Sequence, residues 1–187
     1  MPLLQQILFE KALSEKNIEF DNLHIDLEHA KCYNGNKVYN VLYPVEYLNK
    51  IDTMNHDKIY DYNFRGLRIP IRDWVAEYEN LPEMNNMIEF TNKGRIIEEK
   101  DKFKFDNEYY QLLCNSKFTL CPAGDFLWSY RFFEAALCKS IPVIHSEDQV
   151  DVTMEGFRFY YRNDKHVYRD DWVEHNYNLF IKRHILE

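Results

Sequence analysis

From residue 57 onward, short apolar runs alternate with segments patterned for helix, and few folds accept that alternation. The spacing predicts strands over 58–64, 87–91, 118–121, 141–144 and 157–161, and helices over 71–79, 107–116, 129–138 and 168–184. The runs at 118–121 and 141–144 are almost wholly apolar rather than alternating, as strands buried on both faces of a parallel sheet are. The expected class is α/β, with a parallel sheet covered by helices on both faces. Such sheets bind ligands at the carboxyl ends of their strands, beside helix N-termini.

The first quarter reads differently. Pro2 suits a first helical turn, and Leu3, Leu4, Ile7, Leu8 and Ala12 form one apolar stripe, which predicts a helix over 1–16. Short strands follow over 18–27. Asn34-Gly35-Asn36 is a turn signal, with a further strand over 38–45. The expected organisation is an N-terminal extension over 1–57 and the α/β unit over 58–187.

Charge and cysteine usage narrow the function classes. The 31 acidic side chains exceed the 23 basic ones, for a net charge of −8. That balance disfavours nucleic-acid binding, which needs a basic surface, but leaves room for a local phosphate pocket. Cys32, Cys114, Cys121 and Cys138 lie far apart with no Cys-x-x-Cys, so neither a disulfide framework nor a zinc finger is expected. Glu10, Lys11, Glu15 and Lys16 interrupt what a signal peptide would keep apolar. No run approaches the roughly 20 apolar residues of a membrane span. A reducing, cytoplasmic location is the expectation.

The stretch from Ser116 to Ile144 carries the chemistry. It reads as strand, loop, helix, strand: Pro122 ends the first strand, Gly124 lets a ligand approach the backbone, and Ser129 stands where a helix N-cap would. Arg131 falls in the first helical turn, where a cation opposes the helix dipole unless an anion sits there too. Glu134, three residues on, shares its face. Two readings are open: a surface ion pair, or Arg131 on a diphosphate with Glu134 accepting from ribose hydroxyls.

The whole segment resembles the donor-binding, C-terminal part of exostosin-type glycosyltransferases. The family pattern is matched by Ser116-Lys117-Phe118, Pro122-Ala123-Gly124, Ser129-Tyr130-Arg131-Phe132-Phe133-Glu134-Ala135 and Ile141-Pro142-Val143. Tyr62-Asn63-Phe64-Arg65-Gly66 looks like the family's first strand and its glycine-bearing loop, so the resemblance covers residues 58–150. The chain is also similar to short glycosyltransferase-like proteins of algae and their large viruses, and a viral origin would place it in a host cytoplasm. The resemblance implies a single Rossmann-like domain, half of a GT-B fold, that binds a nucleotide diphosphate sugar as donor, without a cofactor or a metal. It implies Arg131 on the donor phosphates, Glu134 on the ribose, and Pro122, Gly124 and Ser129 around the phosphate loop. Arg65 and Arg72 follow the first strand and would reach the same site. The turn Cys138-Lys139-Ser140 lacks the family's usual glycine.

A GT-B enzyme normally has a second Rossmann-like domain for its acceptor, and residues 1–57 are too few to build one. A glycan or glycoprotein acceptor is implied. A homo-oligomer or a partner chain is one way to complete its site, and a binding module without turnover is the alternative. No two aspartates are spaced i, i+2, which disfavours the metal-dependent donor site of the other sugar-transferase architecture. His145, Glu147 and Asp148 follow the Ile-Pro-Val-Ile strand at a carboxyl end and are the candidate catalytic bases. Phe126 and Trp128 are either packing residues or a stacking surface for a sugar or base.

Overall fold

A computed structural model describes residues 10–11, 13–15, 17–20, 22–26, 31–40, 43–92, 105–124 and 127–186. The apolar stripe from Leu3 to Ala12, and Phe126, lie outside the described residues.

Five parallel strands form the centre of the fold. They are β5 (Tyr60–Leu67), β6 (Met87–Thr91), β7 (Ser116–Leu120), β8 (Ile141–Ile144) and β9 (Tyr160–Tyr161), arranged β6-β5-β7-β8-β9. Numbered within this sheet, the order is 2-1-3-4-5, so the winding reverses between β5 and β7. Doubly wound sheets open a ligand crevice at that reversal. The fold is α/β and Rossmann-like, as expected, and matches half of a GT-B fold.

Burial explains the strand sequences. All four residues of β8 are buried, Pro142 included, and only Lys117 of β7 is not. On one face Tyr62, Phe64, Phe118, Leu120, Ile141 and Val143 pack with Trp74, Val75 and Tyr78. On the other lie helices α1 (Val45–Asp52), α2 (Asn107–Cys114), α3 (Tyr130–Leu137) and α4 (Asp170–His184), whose aromatic core includes Tyr47, Tyr109, Phe132, Phe133 and Phe180. Asp106 caps α2 by accepting from Tyr109 N at 3.0 Å. Lys58 Nζ donates to the backbone oxygens of Cys114 and Cys138 at 2.6 and 3.1 Å, holding together the ends of α2 and α3. A polar thread also crosses the buried strands. Asn63 Nδ2 donates to Thr119 Oγ1 at 2.7 Å, and Thr119 shares a 2.7 Å hydrogen bond with Ser140.

Before the sheet, β1 (Leu23–Asp26), β2 (Lys31–Asn34) and β3 (Lys37–Asn40) form an antiparallel meander. Gly35 takes φ 58° in the two-residue turn between β2 and β3. The described residues of the strand expected over 38–45 fall in different elements. β3 ends at Asn40, and β4 (Tyr43–Pro44) pairs in parallel with β10 (Ile185–Leu186) after α4. Tyr43, Tyr47 and Ile51 thereby enter the core of the α/β unit.

Two more elements differ from expectation. Pro70–Tyr78 is a 3-10 helix, not an α-helix. Its buried Trp74, Val75 and Tyr78 fit either helical spacing, so the sequence pattern does not separate the two. β9 is two residues long rather than five because Asn176 of α4 takes both backbone groups of Arg158. Arg158 N donates to Asn176 Oδ1 at 2.8 Å, and Asn176 Nδ2 donates to Arg158 O at 2.7 Å. All four cysteines are buried. Among the described residues, no helix is long and apolar enough to cross a membrane.

Candidate active site at the switch point

The carboxyl ends of β5 and β7 bring Gly66, Arg72, Gly124 and Arg131 into one crevice. Arg131, in the first turn of α3, lays its guanidinium over the Phe64 ring, 4.5 Å from the centroid, and Nη2 donates to Arg65 O at 2.7 Å. A Cβ at position 66 would stand 2.9 Å from that Nη2, so this approach requires glycine. Arg131 Nε is buried without a hydrogen-bond partner. Arg72 Nη1 donates to Leu67 O at 3.1 Å and Nε to Ala123 O at 3.4 Å, spanning the two strand ends. Its Nη2 lies 3.6 Å from where a Cβ on Gly124 would be.

Ser129 holds the N-cap position of α3 with an extended backbone, but its side chain makes no capping bond. Its Oγ is buried without a partner. The crevice therefore holds an orphan hydroxyl and an orphan guanidinium N–H at a helix N-terminus, an arrangement suited to an anion. Pro122 is buried at the end of β7. Arg65 contributes its backbone oxygen, while its side chain turns aside to Glu89 at 2.9 Å and Glu108 at 3.4 Å.

Glu134 is fully buried. Tyr109 Oη donates to its Oε2 at 2.8 Å and Tyr110 Oη to its Oε1 at 3.0 Å. A ribose would reach this carboxyl only after displacing the two phenols.

Beside the crevice, and sharing Ala123, lies a cavity of about 480 Å³ lined by Trp74, Glu77, Leu127, His145, Asp148 and Arg162, among others. Arg162 Nη1 is 3.0 Å from His145 Nε2. A guanidinium only donates, so Nε2 accepts, and Nδ1–H faces Ser146 Oγ at 3.1 Å. Arg162 Nη2 pairs with Glu77 at 3.3 Å. Gln149 ties the loop to the neighbouring strand: its Oε1 accepts from His145 N at 2.9 Å and its Nε2 donates to Cys121 O at 2.6 Å.

The structure thus gathers the sequence candidates into two adjoining groups. Arg72, Gly124, Ser129 and Arg131 surround the crevice, and His145 and Asp148 line the cavity. Glu147 is exposed in the same loop and is not among the cavity's residues. Trp128 is buried in the helical core. Trp74, Glu77, Gln149 and Arg162 escaped the sequence reading. Trp74 carried only a helix-pattern signal, and Arg162 comes to the site from the end of β9, which nothing local to it announces. Among the described residues, no cluster of three or more His, Cys, Asp or Glu side chains is placed to hold a metal ion.

No curated protein matches the chain. The family model of the Exostosin GT47 domain matches residues 49–154, more than half of the 187. That span runs from α1 through β8 and contains the crevice, its arginines and the loop bearing His145. The chain belongs to the exostosin GT47 family of glycosyltransferases.

Proposed function

We propose that the chain transfers a sugar from a nucleotide diphosphate sugar to a hydroxyl of a glycan or glycoprotein acceptor. The observation that carries this reading is the placement of Arg131 and Arg72 at the carboxyl ends of β5 and β7, with Gly124 and the orphan Ser129 hydroxyl. In this reading the crevice holds the diphosphate and the adjoining cavity holds the sugar. The acceptor oxygen attacks the anomeric carbon, the bond from that carbon to the diphosphate oxygen breaks, and the two guanidiniums stabilise the leaving charge. The acceptor proton passes to a side chain of the β8 loop, with His145 and Asp148 as the candidates that line the cavity. His145 serves only if Arg162 releases its Nε2. Glu134 positions the site through Tyr109 and Tyr110 rather than touching the donor. The guanidiniums, rather than a bound cation, are proposed to neutralise the leaving group, so activity should survive a chelator. Cys114, Cys121 and Cys138, buried free thiols, suit the proposed cytoplasmic location.

Calorimetry with a panel of UDP- and GDP-sugars tests the donor site. Binding that is abolished or much weakened in Arg131→Ala supports it. No binding to any member, or binding unchanged in that variant, rejects it.

One observation favours a second reading. The described residues hold one five-stranded parallel sheet, with a two-strand parallel pair and three short antiparallel strands beside it. The acceptor surface would then come from another copy of the chain or a partner chain. Donor binding without turnover by the isolated monomer, with turnover appearing on association, is the expected result. The mass in solution, alone and with candidate partners, reads the association.

A further inference from the structure

Resting on the reading of the cavity as the sugar site, we propose that it selects a neutral sugar and rejects a uronate. The argument is the charge of the lining. Asp73, Glu77 and Asp148 border the cavity, and among the described lining residues Arg162 is the one guanidinium. That guanidinium is already committed, with Nη2 on Glu77 at 3.3 Å and Nη1 on His145 Nε2 at 3.0 Å. The second contact has His145 Nε2 as the acceptor from Arg162. Asp73 and Asp148 form no ion pair among the described residues. They remain as acceptors for hydroxyl donors, and such charge-assisted bonds are short and strong.

A second, independent observation points to a ligand here. Trp74 lines the cavity while only 6% exposed, and its indole N–H lacks an acceptor. Together with Ile71 and Leu127 it offers the apolar surface on which a sugar's C–H face packs. A hydroxyl-rich neutral ring matches this lining of carboxylates and an apolar wall. A ring bearing its own carboxylate would set like charges together, which costs affinity.

The test compares donors that differ only at C6: UDP-glucose with UDP-glucuronate, and GDP-mannose with GDP-mannuronate. The pair used is the one whose free nucleotide binds the wild-type chain. Calorimetry should show the uronate binding at least about tenfold more weakly. Glu77→Gln removes one carboxylate and releases Arg162, so it should narrow that gap to about threefold while leaving the affinity for free UDP or GDP unchanged. Equal or tighter binding of the uronate by the wild type overturns the proposal. So does a fall in free-nucleotide affinity in Glu77→Gln, which would put the nucleoside rather than the sugar in the cavity. If neither UDP nor GDP binds, the donor-site reading fails, and this inference with it.

Discussion

The guanidinium of Arg131 reaches across the switch point to the backbone oxygen of Arg65, 2.7 Å from Nη2, over a residue without a side chain. Gly66 is that residue, and the Cβ it lacks would stand 2.9 Å from Nη2 and 3.1 Å from Phe64 Cζ. Gly66→Ala is therefore expected to push Arg131 off the Phe64 ring. Binding of the nucleotide diphosphate should weaken by about tenfold, with about 1–3 kcal/mol of overpacking cost to stability. Calorimetry and denaturant unfolding of the same variant separate the two effects. Unchanged nucleotide affinity would show that the placement of Arg131 does not matter to the site.

Glu134 and its two tyrosines make a different kind of prediction. Both phenols are buried, and their hydroxyls meet the carboxyl at 2.8 and 3.0 Å. Tyr109→Phe and Tyr110→Phe should each cost about 1–3 kcal/mol. Glu134→Leu should cost more than either, because it leaves both hydroxyls buried without that partner. Urea unfolding of the three variants checks the order. If the carboxyl instead faced a ribose directly, Glu134→Leu would lose donor affinity with little loss of stability.

The local pattern was most legible where it repeated the fold's own logic. The helix expected over 129–138 is α3 (Tyr130–Leu137) with Ser129 as N-cap, and the apolar run at 141–144 is β8. In both, burial on every side leaves only one reading of the residues. The site was half legible for a related reason. Arg131 and Gly124 sit in one contiguous motif, whereas Arg162 lies 17 residues beyond His145 and 85 beyond Glu77. Such partners meet only because β9 pairs beside β8, a long-range choice that spacing does not encode. The shape of Glu134's environment was hidden likewise. Its tyrosines belong to α2, and a Ser-x-Arg-x-x-Glu string does not say whether its carboxyl faces solvent or a neighbouring helix.

Asn176 is a polar residue that shortens a strand. It is 1% exposed and holds the N–H and the carbonyl of Arg158 at 2.8 and 2.7 Å. Asn176→Ala leaves both groups without that partner beneath α4. The expected loss is about 2–4 kcal/mol, close to that of two buried hydrogen bonds. Amide exchange at Arg158 should accelerate with it. Protection unchanged at Arg158 would mean that the two backbone groups are satisfied in another way.

His166 gives the fold a defined pH response. Its Nδ1 lies 2.8 Å from Tyr62 Oη, and its Nε2 lies 2.8 Å from Tyr161 O. The carbonyl can only accept, so Nε2 carries the hydrogen and Nδ1 takes the phenol proton. The ring is thus neutral in the fold. Burial pushes its pKa below the ordinary 6.5, and the bond to Tyr161 O and the charge of Asp164 oppose that push only in part. With the folded value below the unfolded one, the unfolded chain takes up the proton first. The stability from this group is present above pH 6.5 and declines as pH falls through that value towards the lower folded pKa. His166→Gln should therefore lose less stability than the wild type between pH 7.5 and pH 5, whatever its absolute stability. Chemical unfolding across that range reads the difference in slope, and an NMR titration should place the folded His166 below 6.5. Parallel slopes for the two chains, or a folded His166 titrating above that value, would contradict the assigned tautomer and its burial.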